Sequence, residues 1–588
     1  MTAPRVRLWR GLALLAAVIA VVRVAATIPV FSSTYDEPFH LAAAVGLYDM
    51  HKHVYGTEHG PLPRLVAGLP LWISGVHLPE RYRTTAVEKE STTCEAGTAV
   101  LFESPMPYRQ VLHRARCAML VFPAVVLLYL YLIGRWIGGE MLGALAVVFA
   151  SFDPTLLGHS MWVCTDVPAA AGFLAATYHG MRWINSPNIG RAAIFGVALA
   201  MAVSCKFTCL LILPALAIVA IARSWASARR DPSDLRVEGH RSGWKMRFVA
   251  QVAIAALVAF VALWATYLFD VGPIANQQRF TPDHEWRLIP QRIKDTPVPM
   301  PSLWLGLLWF ADHAHGGHPA YLNGVHGRRG RWLFFPEAIA LKSPIGLLAS
   351  AGVALVVGAL VQKRHQVRWR RAGPIVAIIG VYLLTSMAGR VNVGIRHVLP
   401  VVLLLYVLIC HQFLRARLRS LTWLLALCMI GAAVETALIH PDYLSFFNRL
   451  AGGPAHGERY FIDSNVDWGQ DAERLATWLK SPEAAGRPYT LRLFAYSPAP
   501  LAAVIGLDPK ACRGLPHGLF AISKNVRLLL FSFDLKEEGT NYEGFDYSWL
   551  EGFPVVKRIG YSIDVYDLDR PLTPAARVPR YDPPPWET

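Results

Sequence analysis

Recurring apolar runs constrain this chain more than any other feature of its sequence. They lie at 11–31, 114–137, 141–158, 167–184, 190–204, 207–223, 248–269, 337–361, 374–388, 397–413 and 421–438. Hydrophobic residues make up 54% and charged residues 17% of the 588 positions, which is more apolar than a soluble chain of this size. Several runs approach the roughly 20 residues that cross a bilayer, so we predict an all-α polytopic membrane protein with about eleven transmembrane helices.

Basic residues indicate which ends of the spans face the cytoplasm. Three arginines lie within 5–10, before the first run, and further clusters of Lys and Arg lie within 223–247, 363–371 and 415–419. With about eleven crossings these clusters share one side, which the positive-inside rule makes cytoplasmic. We therefore predict a cytoplasmic N-terminus. The same pattern accounts for much of the formal net charge of +16, so nucleic acid is not expected as a partner.

Two long polar segments are predicted to be outer loops. Residues 32–113 are too polar to span and contain an apolar stretch at 59–73, which predicts an interfacial or re-entrant helix. Residues 270–336 form the second loop, which is rich in His, Trp, Arg and Pro. Long ordered loops often carry function.

The pattern changes after residue 440, where no further span appears. Strand-like runs at 489–496 and 556–568 alternate with a helical pattern at 470–480. We predict a transmembrane domain over 1–440 and a small extracytoplasmic α/β domain over 441–588.

Ionisable residues at membrane depth are costly, so by default they mark a functional site. Those outside the cytoplasmic clusters are Asp36 and Glu37, then Asp153, His159 and Asp166, then Lys206, and finally Arg390 and Arg396. The predicted topology places these carboxylates and cations on one face of the membrane.

This combination suits the transfer of a group from an anionic lipid carrier. A carboxylate can accept the proton of an attacking hydroxyl, and Lys or Arg can stabilise a departing phosphate. Carboxylates from two loops can instead share a divalent cation such as Mg²⁺ or Mn²⁺. The structural alternative is that Asp36 and Glu37 form an ordinary helix end, and that Asp166 caps the next span.

Two other segments allow both a functional and a structural interpretation. The His-rich stretch 311–332 is either a metal site or a flexible substrate loop, and its spacing lacks a standard zinc pattern. Trp332 can stack on a sugar or line the lipid. The stretch 463–471 can bind sugar hydroxyls or a cation, but its local pattern favours a turn in which Asn465 or Asp467 caps the following helix.

Several motifs occur together and in order along the chain. They are YDEPFH at 35–40, HGPL at 59–62, FDPTLLGHSMWVCTD at 152–166, SCKFT at 204–208, YLNG at 321–324, NVGIRHVLPV at 392–401 and DSNVDWGQD at 463–471. As a series they resemble the polyprenyl-phosphate-dependent glycosyltransferases of the GT-C class, in the bacterial branch related to protein O-mannosyltransferases and aminoarabinose (lipid A) transferases. Gly60 departs from that family's motif, which commonly has a second Pro there.

The resemblance implies a membrane glycosyltransferase with the GT-C architecture. Such an enzyme would move a sugar from a polyprenyl-phosphate carrier to an extracytoplasmic hydroxyl of a protein, lipid or glycan, with inversion. It implies Asp36 as general base, Asp166 as its partner or as a metal ligand, and Glu37 as either a supporting residue behind Asp36 or an alternative acid. Lys206 and Arg396 would face the carrier phosphate.

Further substrate-binding candidates are His59, His159, Asn392 and Trp332. A divalent cation held by Asp36 and Asp166 is left open. The implied partners are the lipid-linked donor, the acceptor and the bilayer, and the implied location is the bacterial inner membrane. The alternative is a transporter or flippase of a lipid-linked sugar or anionic lipid, although such proteins usually carry paired repeats, and none is found in this sequence.

Overall fold

Helices form most of the structure, a computed structural model that describes residues 3–83, 90–228, 241–274, 289–361, 369–513, 515–528 and 547–572. The first thirteen helices are α1 (Ala3–Thr27), α2 (Glu37–Met50), α3 (Leu62–Ile73), α4 (Glu80–Arg83), α5 (Glu90–Phe102), α6 (Tyr108–Met119), α7 (Val121–Gly138), α8 (Glu140–Ser151), α9 (Pro154–His159), α10 (Asp166–Asn185), α11 (Ile189–Cys205), α12 (Ile212–Ala228) and α13 (Arg241–Thr266).

The later helices alternate with short irregular segments. They are α14 (Gln291–Asp295), α15 (Pro301–Gly316), α16 (Phe334–Lys342), α17 (Ile345–Val361), α18 (Trp369–Ala388), α19 (Leu399–Ala416), α20 (Arg419–Leu438), α21 (Ala472–Leu479), α22 (Pro498–Val504) and α23 (Lys524–Leu528). Short 3-10 helices lie at Phe207–Leu211, Ile395–Val398, Tyr443–Ser445, Arg449–Ala451, Pro454–Arg459, Asp463–Asn465, Pro509–Cys512 and Ser548–Gly552.

Six helical segments among the described residues are long and apolar enough to cross a membrane. They are Ala3–Thr27, Tyr108–Gly138, Phe207–Trp225, Met246–Thr266, Ile395–Ala416 and Arg419–Leu438. A seventh span is counted if α16 and α17, which meet at 115°, are one broken crossing. The multi-pass character is therefore supported, whereas the count of about eleven stays a prediction.

The apolar run predicted at 141–158 is divided into two helices. α8 ends at Ser151, and Asp153 then caps α9 by accepting a hydrogen bond from the Leu156 amide at 2.5 Å. Pro154 occupies the first turn of α9, a position that suits its fixed φ and missing N–H. Because the cap starts a new helix, this run is not one continuous helical span.

A small sheet forms in the C-terminal part of the chain. Its strands are β5 (Tyr489–Arg492), β6 (Leu519–Ser523), β7 (Val555–Ile559) and β8 (Ile563–Asp567), in the order β5-β6-β8-β7. β5 and β6 are parallel, while β8 pairs antiparallel with both β6 and β7. The strand-like run at 556–568 is thus a hairpin. Its turn includes Gly560 at φ 54°, a backbone conformation that favours glycine.

The second outer loop holds two short strand pairs. β1 (Val271–Pro273) pairs with β2 (Pro297–Pro299), and β3 (Ala320–Leu322) pairs with β4 (Val325–Gly327).

One continuous apolar core joins the helices to the C-terminal sheet. It includes Val24 of α1, Leu130 of α7, Leu403 of α19 and Leu475 of α21, and it extends to Val565 of β8. The prediction that a separate domain begins at residue 441 stays a prediction. The packing places the described residues after 440 directly against the helices.

Candidate active site

Asp166 holds two cations at the start of α10. Its side chain is almost fully buried, with Lys206 Nζ at 2.7 Å from Oδ1 and Arg396 Nη1 at 3.3 Å from Oδ2. Lys206 lies in extended backbone where α11 ends. A buried carboxylate requires such partners, and three residues predicted from separate motifs are therefore brought together here.

Asp36 is the accessible carboxylate of this cluster. It directly precedes α2, and its Oδ2 lies 3.5 Å from the same Nη1 atom of Arg396. Its side chain is 35% exposed, compared with 3% for Asp166. Of the two acids that share Arg396, only Asp36 is therefore open to a substrate.

The surroundings of Asp36 change its acidity. Burial raises the pKa of its carboxyl, and the Arg396 guanidinium and a hydrogen bond from the Trp468 side chain oppose this rise. A higher pKa makes the carboxylate a stronger base. The site therefore combines one accessible basic carboxylate with two fixed cations.

Residues of the segment 463–471 contact Arg396 and the backbone next to it. The Arg396 guanidinium lies over the Trp468 ring, 4.2 Å from its centroid. Asn465 Oδ1 accepts the Ile395 amide at 3.1 Å, and Asn465 Nδ2 donates to Val393 O at 3.1 Å. Trp468 and Asn465 thus fix the turn that carries Arg396.

The prediction that Asn465 or Asp467 caps the following helix is therefore wrong. Asp471 occupies the residue before α21, and it makes no side-chain cap bond there. Asp467 instead accepts the amides of Gly469 and Asn525, both at 2.9 Å. Asn525 and Ile395, which lie far from this segment in sequence, also bind these side chains, and a local pattern does not reveal such partners.

Glu37 has a different environment from its neighbour Asp36. It is fully buried and forms a two-pronged pair with Arg116, Nε to Oε1 at 2.9 Å and Nη2 to Oε2 at 2.7 Å. The amides of Thr34 and Val163 also donate to it, at 2.8 and 3.2 Å. A catalytic role for Glu37 stays a prediction, but its contacts are those of a structural anchor.

The sequence patterns did not single out Arg116, although it is an important partner of Glu37. Besides Glu37, it donates to the carbonyl oxygens of Phe31 and Ser32, each at 2.7 Å, and so it fixes the segment leading to Asp36. It lies inside the run 114–137 that was predicted to span. The cost of an arginine at membrane depth was the signal that could have identified it.

Two predicted histidines lie close to the cluster. His59 is ring-stacked on His40 with centroids 5.9 Å apart. His159 Nδ1 hydrogen-bonds Thr155 O at 2.8 Å, and its ring lies 6.1 Å from that of Trp468. Nε2 of His159 is buried and has no hydrogen-bond partner within the described structure. Their roles in substrate binding stay predictions.

The loop motifs HGPL and SCKFT touch each other. Ser204 Oγ accepts the Leu62 amide at 3.2 Å. A Cβ at position 60 would lie 2.2 Å from Ser204 O, so only glycine fits this close approach. This close approach accounts for the glycine at position 60 of this chain.

A cavity of about 460 Å³ lies beside the turn that carries Arg396. Its lining includes Arg328, Arg331 and Asn392, and Asn392 Oδ1 accepts the Arg331 amide at 2.8 Å. Trp332, by contrast, is 59% exposed and is absent from this lining. Asn392 therefore lies at a cavity, as a binding residue would, and the Trp332 prediction stays untested.

The predicted divalent cation between Asp36 and Asp166 does not fit these contacts. Lys206 and Arg396 already pair with the two oxygens of Asp166, and their charges oppose another cation at short range. Within the described ranges no group of three or more His, Cys, Asp and Glu is arranged to hold a metal ion. This statement covers the histidines of 311–332.

Comparison with known proteins finds a family model that matches part of the chain. Residues 110–232 match the family model of dolichyl-phosphate-mannose-protein mannosyltransferases. This match covers about a fifth of the chain, and over that segment it agrees with the resemblance to GT-C glycosyltransferases seen in the motifs. Among curated proteins, none matches the chain.

Solved structures of two other proteins have a similar chain path. ArnT from Cupriavidus metallidurans bound to undecaprenyl phosphate has 11% identity and a TM-score of 0.46, over 97% of this chain and 99% of ArnT. The same protein in the apo state gives 12% and 0.43, over 95% and 98%. The archaeal oligosaccharyltransferase AglB from Archaeoglobus fulgidus, in complex with an inhibitory peptide and a dolichol-phosphate, gives 13% and 0.43, over 88% and 66%.

Proposed function

We propose that this protein transfers a sugar from a polyprenyl-phosphate carrier to a hydroxyl group on the extracytoplasmic side of the membrane. The observation that carries the proposal is the cluster in which an accessible carboxylate, Asp36, lies beside two cations that Asp166 holds in place. The GT-C family segment at 110–232 supports the reaction class.

The proposed reaction is a single displacement. Asp36 accepts the proton as the O–H bond of the acceptor breaks, and the acceptor oxygen forms a bond to the anomeric carbon. The bond from that carbon to the phosphate oxygen breaks, and its electron pair leaves with the carrier phosphate. Attack opposite the leaving group inverts the anomeric configuration, while Lys206 and Arg396 stabilise the phosphate.

The test is the incorporation of sugar from a panel of radiolabelled polyprenyl-phosphate sugars into acceptors in membranes that contain or lack the protein. Protein-dependent incorporation supports the proposal, and incorporation that persists in a chelator would show that transfer needs no divalent cation. A label that only moves between leaflets, with no product formed, would favour the transporter alternative.

Replacing Lys206 by Met should lower the turnover number about 10²- to 10³-fold, as expected for the loss of one donor to the developing charge. The physical reason is that Met keeps the length of the side chain but removes the charge that would face the phosphate. Initial rates of transfer at saturating donor measure the effect. Lys510→Met, at an exposed position of the C-terminal part, is the matched control, and an equal rate for both variants would contradict this role of Lys206.

Transfer should fall as the pH is lowered through the raised pKa of Asp36, because only the ionised carboxylate accepts a proton. Burial raises that pKa, so the loss should begin above the ordinary aspartate value of about 3.9. The measurement is kcat/KM as a function of pH, which reports the pKa values of the free enzyme. A profile that stays flat down to the ordinary value would argue against Asp36 as the base.

A further inference from the structure

A second concave site lies at the opposite end of α10 from Asp166. It is a cavity of about 470 Å³ formed by the last turns of α7 and α10 and the start of α11. Arg182 lines it and lies about 24 Å from Asp166 along the helix axis at 1.5 Å per residue. The cavity is therefore separate from the candidate active site.

Guanidinium groups dominate its lining. Arg135, Arg182 and Arg191 all line the cavity. Arg182 donates to Tyr178 Oη at 3.2 Å, and Arg191 donates to Ser186 O at 2.5 Å. These partners are neutral, so they do not offset the positive charge of either guanidinium. Guanidinium groups present N–H pairs that match phosphate oxygens.

One carboxylate offsets this charge. Glu140 Oε1 lies 3.1 Å from Arg135 Nε, and it is shared with Arg10 at 2.8 Å. Among the described residues Glu140 is the acid that pairs with this group of arginines. The cavity therefore has an excess of positive charge that a bound anion would neutralise.

The cavity is continuous with apolar surface. Leu128, Leu132 and Trp136 recur at every fourth position of α7 and so share one face. Leu128 is 51% exposed, and Leu132 and Trp136 line the cavity. On α11, Ile194 lies one turn beyond Arg191 and is 50% exposed. Aromatic side chains such as Trp136 favour the boundary between lipid and water.

We propose that this cavity binds the phosphodiester headgroup of an anionic phospholipid, with the acyl chains lying along α7 and α11. Basic cavities between membrane helices recognise lipid phosphates in this way. Free inorganic phosphate shares the headgroup chemistry. The apolar face beside the arginines favours the lipid, because free phosphate gains nothing from that surface.

The test uses the full-length protein in nanodiscs of phosphatidylcholine, with and without phosphatidylglycerol. We expect phosphatidylglycerol to raise the unfolding temperature of the wild type and to be retained preferentially in native mass spectrometry. Arg182→Gln with Arg191→Gln should weaken retention about fivefold for each arginine removed. Arg419→Gln, at an exposed position at the start of another span, is the matched control and should bind as the wild type does.

Three results would overturn the proposal. The first is equal retention by the double variant and the wild type. The second is an equal rise in unfolding temperature when inorganic phosphate is added to nanodiscs of phosphatidylcholine alone, which would indicate a site for the free anion. The third is a wild type that retains phosphatidylglycerol no better than phosphatidylcholine, a comparison that holds even if the double variant does not fold.

Discussion

Replacing Asp36 by Asn is expected to reduce the turnover number about 10²- to 10⁴-fold, the usual contribution of a general base. Asn keeps the size and shape of the side chain, but it cannot accept the proton of the acceptor. The loss should appear equally in kcat and in kcat/KM, because the interaction forms only in the transition state. Initial rates of sugar transfer by the purified variant provide the measurement.

Stability should change little in this variant, because the Asp36 side chain is 35% exposed and its ion pair with Arg396 is long, at 3.5 Å. Weakening one long, partly exposed ion pair should cost about 1 kcal/mol or less. Asp569→Asn is the matched control, since that side chain is 60% exposed and lies after β8. Wild-type turnover by Asp36→Asn would remove Asp36 from the proposed mechanism.

Replacing Glu37 by Ala is expected to act mainly on stability rather than on turnover. The free energy of unfolding should fall by about 3–5 kcal/mol. Both Glu37 and Arg116 are fully buried, so truncating the acid leaves an uncompensated charge in the interior. Unfolding of the purified protein in detergent, followed by temperature or denaturant, measures the loss. Folded Glu37→Ala should retain more of its transfer rate per folded molecule than Asp36→Asn.

A matched control comes from an exposed ion pair within the segment 32–113. Arg81 and Glu103 lie 2.5 Å apart with both side chains at least half exposed, so Glu103→Ala should cost less than about 1 kcal/mol. Replacing both buried partners, Glu37→Leu with Arg116→Met, should recover stability relative to Glu37→Ala, because neither charge remains. Unchanged unfolding of Glu37→Ala would show that the buried pair does not hold this segment.

The residues of the cluster could be predicted because a bilayer makes ionisable side chains conspicuous. Asp36, Asp166, Lys206 and Arg396 stand out against apolar runs, and positive flanks placed them on one predicted face. The structure brings these four residues together. The sequence therefore singled out four residues that lie together in the structure, and their roles stay predictions.

The sequence did not reveal why Asp36 and Glu37 have different environments. The two acids are adjacent, and their difference comes from Arg116, which lies 79 positions further along the chain. Asn465 is a similar case, since its partner amide at Ile395 is 70 positions away. Local patterns describe turns and caps, whereas the partners of these side chains depend on contacts between distant parts of the chain.

Two elements of the fold could not be predicted from the sequence patterns. The strands at 489–492 and 555–567 had recognisable patterns, but β6 (Leu519–Ser523) is a short, fully buried strand whose apolar run carries no alternation. Periodicity does not separate such a run from a helix segment. At the other extreme, the run at 141–158 was predicted as one span because its apolar content hid the cap formed by Asp153.

Sugar transfer from a polyprenyl-phosphate carrier, with Asp36 as the base, can be tested most directly with purified protein in liposomes. Both products of the reaction are followed in the same experiment. A polyprenyl-phosphate sugar labelled in the sugar and in the phosphate allows sugar transfer and carrier release to be counted together. We expect one polyprenyl phosphate released for each sugar transferred by the wild type, and almost none of either for Asp36→Asn. Sugar that stays on its carrier in the presence of wild-type protein and acceptor, or equal turnover by the two proteins, would contradict it.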